Sequence, residues 1–141
     1  LRLATDFDSI VAIKEAGNNM DQYLELIQNK PTDFLIISGD DDLVSEVTLA
    51  GGSGVISVIG QAFPKEFSQM IQLGLQGNRS EVKAIEERLM EVIGLIFEEN
   101  NPSGIKAVFE SLGLCADTVR LPLVPATDAL KAKISTFIAN F

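Results

Sequence analysis

The sequence lacks histidine and tryptophan, and among its 141 residues there is only one cysteine, Cys115. Without histidine, and with one cysteine, this chain by itself cannot build the usual zinc sites or the Ser-His-Asp and Cys-His arrangements of hydrolases. A single cysteine also has no partner for an internal disulfide, which favours a reducing, cytoplasmic location. Any catalysis by this chain must therefore depend on lysine, carboxylates, hydroxyls or backbone amides.

Basic residues are scarce as well. Eleven lysines and arginines stand against 20 acidic residues, and the net charge is −9. Nucleic acids and anionic membranes bind basic patches, so we expect neither as a partner. No apolar run approaches the length of about 20 residues that crosses a bilayer. The composition, with 46% hydrophobic and 22% charged residues, is that of a folded globular protein.

Three short apolar segments in the first half of the chain are predicted strands. Their β-branched residues are typical of strands that are covered on both faces. Helical spacing begins at Met20 and again over residues 43–50, and this alternation predicts a parallel sheet built from βαβ units. The predicted strands cover residues 10–13, 34–37 and 55–59.

The chain has two features of a fragment. Leu1, Leu3, Ala4 and Phe7 are spaced like the last turns of an amphipathic helix, and no initiator methionine precedes them. Three βαβ units are also too few to close a barrel. We therefore expect this sequence to be a piece of a longer protein.

The last third of the chain is predicted to be helical. Ser80 and Thr127 are predicted helix caps, and Asn101 is a predicted cap with Pro102 at the first helical position. Residues 120–125 contain two prolines and are predicted to be extended, because each proline excludes its predecessor from the helical region.

Polar and glycine-rich turns lie between the predicted strands and helices. Asp40, Asp41 and Asp42 are interpreted as helix N-terminal carboxylates. A metal site is the less favoured alternative, because consecutive carboxylates point in different directions. The glycine-rich residues 51–54 precede a strand, whereas a phosphate-binding loop follows one, so we predict a tight turn there.

Lys14 is the residue with the clearest chemical potential. It ends an apolar strand, and the carboxyl ends of barrel strands hold active sites. An amine that burial deprotonates is the nucleophile of Schiff-base chemistry. Spacing alone favours the alternative, in which the ammonium of Lys14 lies in solvent and pairs with Glu15. Gly39 ends the second strand as a candidate pocket floor, and on pattern alone Ile56 is ordinary barrel core.

Residues 10–16, Ile-Val-Ala-Ile-Lys-Glu-Ala, resemble a strand signature of the dihydrodipicolinate synthase / N-acetylneuraminate lyase family, in which this lysine binds pyruvate. The family usually has glycine at Ala12 and serine or threonine at Gly17, and both departures keep a small residue. The resemblance spans essentially the whole chain. Further segments that resemble the family are residues 38–41, 51–58, 101–106 and 120–125.

The resemblance implies an α/β fold, the C-terminal half of a (β/α)₈ TIM barrel followed by a C-terminal helical domain. Strands six to eight of the barrel would lie in residues 1–63, and the last barrel helix and the helical domain in residues 64–141. Lys14 would form an imine with pyruvate, while Gly39 and Ile56 would line the pyruvate pocket. No metal and no organic cofactor is implied.

The resemblance also implies a reaction. The motifs Lys-Glu-Ala, Ser-Gly-Asp-Asp and Arg-Leu-Pro-Leu favour the synthase branch. That branch condenses pyruvate with L-aspartate-4-semialdehyde to 4-hydroxy-tetrahydrodipicolinate, for diaminopimelate and lysine biosynthesis. N-acetylneuraminate lyase and 2-keto-3-deoxy-sugar-acid aldolase activities are the alternatives within the family. A non-catalytic structural or assembly module is the alternative from another class.

Two expectations concern the parent protein. The resemblance implies a homo-oligomer, the tetramer usual in the family. The family's proton-relay tyrosine and threonines belong to the N-terminal half of the barrel, outside this sequence. We therefore expect the 141-residue chain alone to be inactive and to require the missing half as a partner.

Overall fold

The computed structural model describes all 141 residues and contains three strands and seven α-helices. None of the helices combines the length and the apolar character needed to span a membrane. In chain order the elements are α1 (Arg2–Asp6), β1 (Ala12–Glu15), α2 (Met20–Asn29), β2 (Leu35–Ser38), α3 (Val44–Leu49), β3 (Gly54–Val55), a 3₁₀ turn (Ile59–Gln61), α4 (Pro64–Leu75), α5 (Arg79–Glu98), α6 (Ser103–Ser111) and α7 (Asp128–Asn140).

The three strands form one parallel sheet in the order β1-β2-β3. Lys14 stands opposite Ile37 in the first pair, and Ser38 stands opposite Val55 in the second. Each crossover contains a helix, as parallel neighbours require. The predicted parallel sheet of βαβ units is confirmed.

One face of the sheet is packed and the other is open. Ile36 is completely buried, whereas its neighbour Leu35 is 45% exposed. Successive side chains of a strand point to opposite faces, so this alternation separates a core face from an open face. The core face packs around Tyr23, Phe34, Ile36 and Val47. Burial of each such side chain contributes about 1.5–3 kcal/mol, so this one face supplies most of the sheet's stability.

The chain divides into two compact units. We call residues 1–57 and 65–86 the sheet unit, and residues 58–64 and 87–141 the helical unit. In the helical unit α6 packs against α7, with Val108, Leu130 and Ile134 completely buried. The predicted boundary between residues 63 and 64 concerns barrel and helical domain in the parent protein, and it stays a prediction.

Two strand predictions need correction. The first strand begins at Ala12 rather than Ile10, because the amide of Ile10 closes a turn on the carbonyl of Phe7 at 3.0 Å. The third strand was predicted over residues 55–59 but is only Gly54–Val55. Val58 has helical backbone angles and begins a 3₁₀ turn, which ends the pairing.

The predicted caps have mixed outcomes. Thr127 is confirmed, since its side chain accepts from the amide of Leu130 at 3.3 Å. Ser80 is wrong, because α5 already begins at Arg79. Pro102 is the N-cap of α6 rather than its first helical residue.

Two connecting segments also bear on the predictions. Residues 120–125 are not extended throughout, because the amide of Leu123 donates to the carbonyl of Arg120 at 3.0 Å in a turn. The tight turn predicted for residues 51–54 is confirmed at Gly51 and Gly52, whose amides donate to the carbonyls of Thr48 and Val47 at 3.2 and 2.8 Å, whereas Gly54 already belongs to β3. Gly51 and Gly54 have φ values of +106° and +147°, which glycine adopts far more readily than other residues.

Candidate active site

The three predicted site residues lie at the carboxyl ends of three adjacent strands. Lys14 is the third residue of the four-residue strand β1, Gly39 directly follows β2, and Ile56 directly follows β3. The amide of Gly39 donates to the carbonyl of Glu15 at 2.6 Å, and the amide of Ile56 donates to the carbonyl of Ser38 at 2.9 Å. Parallel pairing therefore brings all three residues to one edge of the sheet.

Gly39 makes room for the side chain of Lys14. A Cβ atom on Gly39 would lie 2.7 Å from Cε of Lys14 and 2.6 Å from Cβ of Ala16. Both distances are shorter than carbon atoms tolerate, so only glycine allows this approach. The aliphatic stem of Lys14 thus lies against the backbone at the end of β2.

The ammonium of Lys14 has no carboxylate partner. Lys14 is exposed on the open side of the sheet, and no ion pair forms at its ammonium. The carboxylate of Glu15 instead accepts from the amide of Gly17 and from the side chain of Gln22, both at 2.8 Å. The predicted Lys14–Glu15 pair is therefore wrong, whereas the solvent position that spacing favoured is what this chain shows.

Ile56 brings an apolar side chain to the same edge. It is 58% exposed, so it is not the buried core residue that its pattern alone suggested. Its amide still extends the pairing with β2 by one hydrogen bond beyond β3. The edge therefore combines an unpaired amine, a bare glycine backbone and an exposed aliphatic side chain.

The aspartates after β2 tie together two loops rather than cap a helix. Oδ2 of Asp40 accepts from the amide of Asn18 at 3.0 Å, and Oδ2 of Asp42 accepts from the side-chain amide of Asn18 at 3.3 Å. The N-cap of α3 is Leu43, without a side-chain cap. The capping prediction is wrong for Asp40 and Asp42, because the backbone and side-chain amides of Asn18, in the loop after β1, donate to them instead. No group of three or more metal-ligating residues is present for the metal alternative.

Sequence reasoning missed the hydroxyl of Tyr23. The side chain is completely buried, and its hydroxyl lies 2.9 Å from Oδ2 of Asp40 and 3.2 Å from Oγ of Ser38. It also contacts the carbonyl of Glu15 and accepts from the amide of Gly39 at 3.3 Å. Tyr23 lies within the helical spacing that begins at Met20, and a tyrosine hydroxyl that is buried requires partners, so its residue type was the available signal.

Burial raises the pKa of the Tyr23 hydroxyl above its ordinary value, and the neighbouring Asp40 carboxylate acts in the same direction. Hydrogen bonds from Ser38 and Gly39 oppose this shift only partly. A charged phenolate would lose hydration in this position, so the neutral form is favoured. Tyr23 therefore acts as a neutral hydrogen-bonding group across the physiological pH range.

The fold and the site together define a class. A parallel α/β sheet with a lysine, a glycine and an aliphatic residue at the carboxyl ends of its strands matches the place where (β/α)₈ barrels hold their active sites. A sequence profile of the dihydrodipicolinate synthetase family matches residues 1–140. The chain belongs to this family, which confirms the resemblance inferred from its motifs.

Known proteins agree in sequence and in structure. A 4-hydroxy-tetrahydrodipicolinate synthase of Flavobacterium psychrophilum is 53% identical over 137 residues, which are 97% of this chain and 47% of that protein. The crystal structure of dihydrodipicolinate synthase from Aquifex aeolicus matches 99% of this chain and 47% of its own, with a TM-score of 0.93 and 31% identity.

A third comparison involves a structure with a bound ligand. A chloride-inhibited dihydrodipicolinate synthase from Acinetobacter baumannii was solved in complex with pyruvate. It matches 93% of this chain and 45% of its own, with a TM-score of 0.89 and 26% identity. The chain spans about half the length of the relatives that it matches.

Proposed function

We propose that this chain is the C-terminal half of a 4-hydroxy-tetrahydrodipicolinate synthase. The parent enzyme would condense pyruvate with L-aspartate-4-semialdehyde in diaminopimelate and lysine biosynthesis. The observation that carries the proposal is the unpaired amine of Lys14, which lies against Gly39 at the carboxyl ends of parallel strands. Family membership and the name of the Flavobacterium relative support it.

In the proposed chemistry the neutral amine of Lys14 adds to the keto carbon of pyruvate. Loss of water from this adduct gives an imine, and loss of a proton from the methyl carbon gives an enamine. The enamine carbon attacks the aldehyde carbon of the semialdehyde, and cyclisation expels the lysine amine. The imine nitrogen accepts the electron pair during proton loss, so the proposal includes no metal and no organic cofactor.

Gly39 and Ile56 are the proposed pyruvate-lining residues. The missing side chain at Gly39 allows a small ligand to approach the backbone beside Lys14. Ile56 offers an exposed aliphatic surface to the methyl group of pyruvate. Pockets for small ligands combine apolar walls of this kind with a few placed polar groups.

The proposal assigns proton transfer to residues outside this chain. Imine formation and enamine formation both need a group that gives and takes protons. Tyr23, the single tyrosine, is completely buried and engaged in other hydrogen bonds, and the chain has no histidine. We therefore propose that the N-terminal half of the barrel supplies the proton shuttle, and that the 141-residue chain alone is inactive.

The open face of the sheet supports the same partner. Leu35 and Ile56 are 45% and 58% exposed on this face, and large exposed apolar patches mark sites where a partner binds. We propose that the N-terminal half of the barrel covers this face. A cytoplasmic homotetramer completes the proposal, and size-exclusion chromatography that finds only monomers at micromolar concentration would contradict the tetramer.

Product formation tests the proposed reaction. The full-length protein and the 141-residue chain are each supplied with pyruvate and L-aspartate-4-semialdehyde, and in parallel with pyruvate and N-acetylmannosamine. We expect turnover only by the full-length protein and only with the semialdehyde. Turnover of the sugar aldehyde alone would replace the synthase with the lyase. Turnover by the 141-residue chain would contradict its dependence on the missing half.

A further inference from the structure

The hydroxyl of Tyr23 lies where the ends of two strands meet. On one side it contacts the carbonyl of Glu15, the residue directly after Lys14. On the other side it accepts from the amide of Gly39 at 3.3 Å. Since Gly39 supports the stem of Lys14, the Tyr23 hydroxyl bonds to the backbone on both sides of the lysine side chain.

The same hydroxyl is fixed by two polar side chains. It lies 2.9 Å from Oδ2 of Asp40 and 3.2 Å from Oγ of Ser38. Asp40 in turn receives the amide of Asn18 at 3.0 Å, so the loop after β1 joins the network. A phenol carries one proton and therefore donates to one acceptor at a time. The other contacts must be accepted bonds, or close contacts that become bonds when the proton reorients.

We propose that Tyr23 is a positioning residue for imine formation, because its hydroxyl holds Glu15 and Gly39 so that the side chain of Lys14 lies along the glycine backbone. The inference rests on the proposed imine chemistry of Lys14. Tyr23 packs beneath the strand ends and is completely buried, so it acts through Lys14 and Gly39 without touching the substrate.

Removal of the Tyr23 hydroxyl would remove contacts that position Lys14 and Gly39 but would leave no cavity in the core. A phenylalanine fills nearly the same volume, so the apolar packing of α2 on the sheet is retained. The amide of Gly39 keeps its 2.6 Å bond to the carbonyl of Glu15, so the strands stay paired. What is lost is the hydroxyl that links this backbone pair to the side chains of Asp40 and Ser38. Displacements of about 1 Å in a reacting group are enough to slow a reaction by about a hundredfold.

The test is the rate of pyruvate adduct formation in the full-length protein. Wild type, Tyr23→Phe and Lys14→Arg are incubated with a series of pyruvate concentrations, trapped with borohydride at timed intervals, and mapped by mass spectrometry. We expect the limiting rate of adduct formation on Lys14 to fall about tenfold or more in Tyr23→Phe. The pyruvate concentration for half-saturation should change about twofold at most, since Tyr23 makes no contact with the ligand.

Thr48→Val is the matched control. Thr48 is a second buried hydroxyl of the sheet unit, 3% exposed and bonded only to carbonyls of its own helix at 2.9 and 3.0 Å. Its removal should lower the melting temperature, as loss of a buried hydroxyl does, yet leave the adduct rate unchanged. Equal slowing in both variants would mean that general destabilisation sets the rate, and would overturn the inference.

The remaining outcomes separate the inference from the proposed function. If wild type forms no adduct on Lys14, the proposed function fails and the inference fails with it. If wild type forms the adduct and folded Tyr23→Phe forms it equally fast, only the inference is overturned. If Tyr23→Phe does not fold, Ser38→Ala replaces it. Ser38 bonds both the Tyr23 hydroxyl and the amide of Asp40, so slowing is again expected and an unchanged rate overturns the inference.

Discussion

Gly39 in the sheet unit and Gly104 in the helical unit are both positions where a neighbouring group lies too close for a Cβ atom. The closest atoms belong to side chains at Gly39 and to a helix backbone at Gly104. A Cβ atom on Gly104 would lie 1.9 Å from the backbone oxygen of Ile96. A Cβ atom on Gly39 would lie 2.7 Å from Cε of Lys14. The first approach joins two helices, whereas the second lies beside the side chain that is the proposed nucleophile. Close packing therefore serves stability in one unit and the candidate chemistry in the other.

A polar contact from each unit shows a second difference, in burial. In the sheet unit the buried hydroxyl of Tyr23 bonds to groups on both sides of Lys14. In the helical unit the ion pair of Lys133 with Glu98, at 2.6 Å, lies at the surface. Exposed pairs contribute about 0–1 kcal/mol, less than a buried apolar side chain. The apolar core thus contributes more to the helical unit than this surface ion pair, and substitution of Lys133 or Glu98 is expected to be tolerated.

Lys14→Arg is expected to have the largest effect, and it separates chemistry from stability within the sheet unit. A guanidinium stays protonated and cannot form the imine, so the pyruvate adduct should be lost completely. Lys14 makes no ion pair in this chain, so the full-length variant is expected to fold, with the free energy of unfolding lowered by no more than about 3 kcal/mol. Borohydride trapping and urea unfolding of the full-length protein measure the two effects. A pyruvate adduct that persists in the variant would contradict the assignment of Lys14.

Gly104→Ala should give the largest loss of stability in the helical unit. The new methyl group meets a backbone oxygen, which cannot move without displacing a helix, so we expect a cost of at least about 3 kcal/mol in urea unfolding. Gly94→Ala in α5 is the matched control, since nothing lies within 4 Å of its Cβ position. There alanine should be neutral or stabilising by up to about 1 kcal/mol. Equal effects of the two substitutions would contradict the packing role of Gly104.

Gly39→Ala sharpens the comparison because one of its obstacles, Cε of Lys14 at 2.7 Å, is the end of a movable side chain, although Cβ of Ala16 at 2.6 Å is not. The methyl group should displace Lys14, and we expect the adduct rate to fall about tenfold or more. The cost in stability should be smaller than for Gly104→Ala, about 1–3 kcal/mol. Timed trapping gives the rate, and urea unfolding gives the stability. A Gly39→Ala protein with wild-type trapping kinetics would show that the lysine stem does not need this approach.

Thr127→Val probes a polar contact of the helical unit. The hydroxyl of Thr127 caps α7 by accepting from Leu130, and it also bonds to the carboxylate of Glu99. Loss of the cap should cost about 1 kcal/mol in urea unfolding, with no change in the adduct rate. Thr136→Val, within the same helix, removes an exposed hydroxyl that only bonds back to Ala132 and should be nearly neutral. A slower adduct rate in Thr127→Val would break the division of roles between the units.

The smallest expected effect is a pH dependence at Glu99. Hydrogen bonds from the hydroxyl and the amide of Thr127 hold the pKa of Glu99 below its ordinary value of 4.5. A carboxylate with a lowered folded-state pKa stabilises the fold above the ordinary value, and this stabilisation is lost as pH falls through the lowered pKa. The difference in stability between wild type and Glu99→Gln should therefore be full at pH 7 and shrink below pH 4.5. If the difference in stability between wild type and Glu99→Gln were the same at acidic and neutral pH, the lowered pKa of Glu99 would be contradicted.

From the sequence, the strands and their parallel order were predicted more accurately than the contacts between side chains. Apolar β-branched runs separated by helical spacing were enough to predict three parallel strands. The same runs also predicted burial on both faces, whereas in this chain one face is open. The third strand came out too long, since residues 56–59 are equally apolar whether they pair or turn. The partner of Asp40 is Asn18, 22 residues away in the sequence, which no local pattern contains.

The candidate site residues could be named from the sequence, but the contacts that position them could not. Lys14, Gly39 and Ile56 followed from the family resemblance, and the strand register confirms that they share one edge of the sheet. Local spacing alone favoured a solvent-exposed lysine, because it does not reveal the bare backbone of Gly39 alongside. The role of Tyr23 depends on a hydroxyl within an apolar helix face, and hydrophobic periodicity does not distinguish tyrosine from phenylalanine.

Borohydride trapping of the full-length protein shows whether Lys14 is the nucleophile that binds pyruvate. The protein is reduced in the presence of pyruvate, digested, and the modified residue is identified by mass spectrometry. The account predicts one reduced pyruvate adduct per chain, on Lys14, and none without pyruvate. A folded full-length protein that carries no adduct, or carries it on another lysine, would contradict the account and leave the structural module as the better description of this chain.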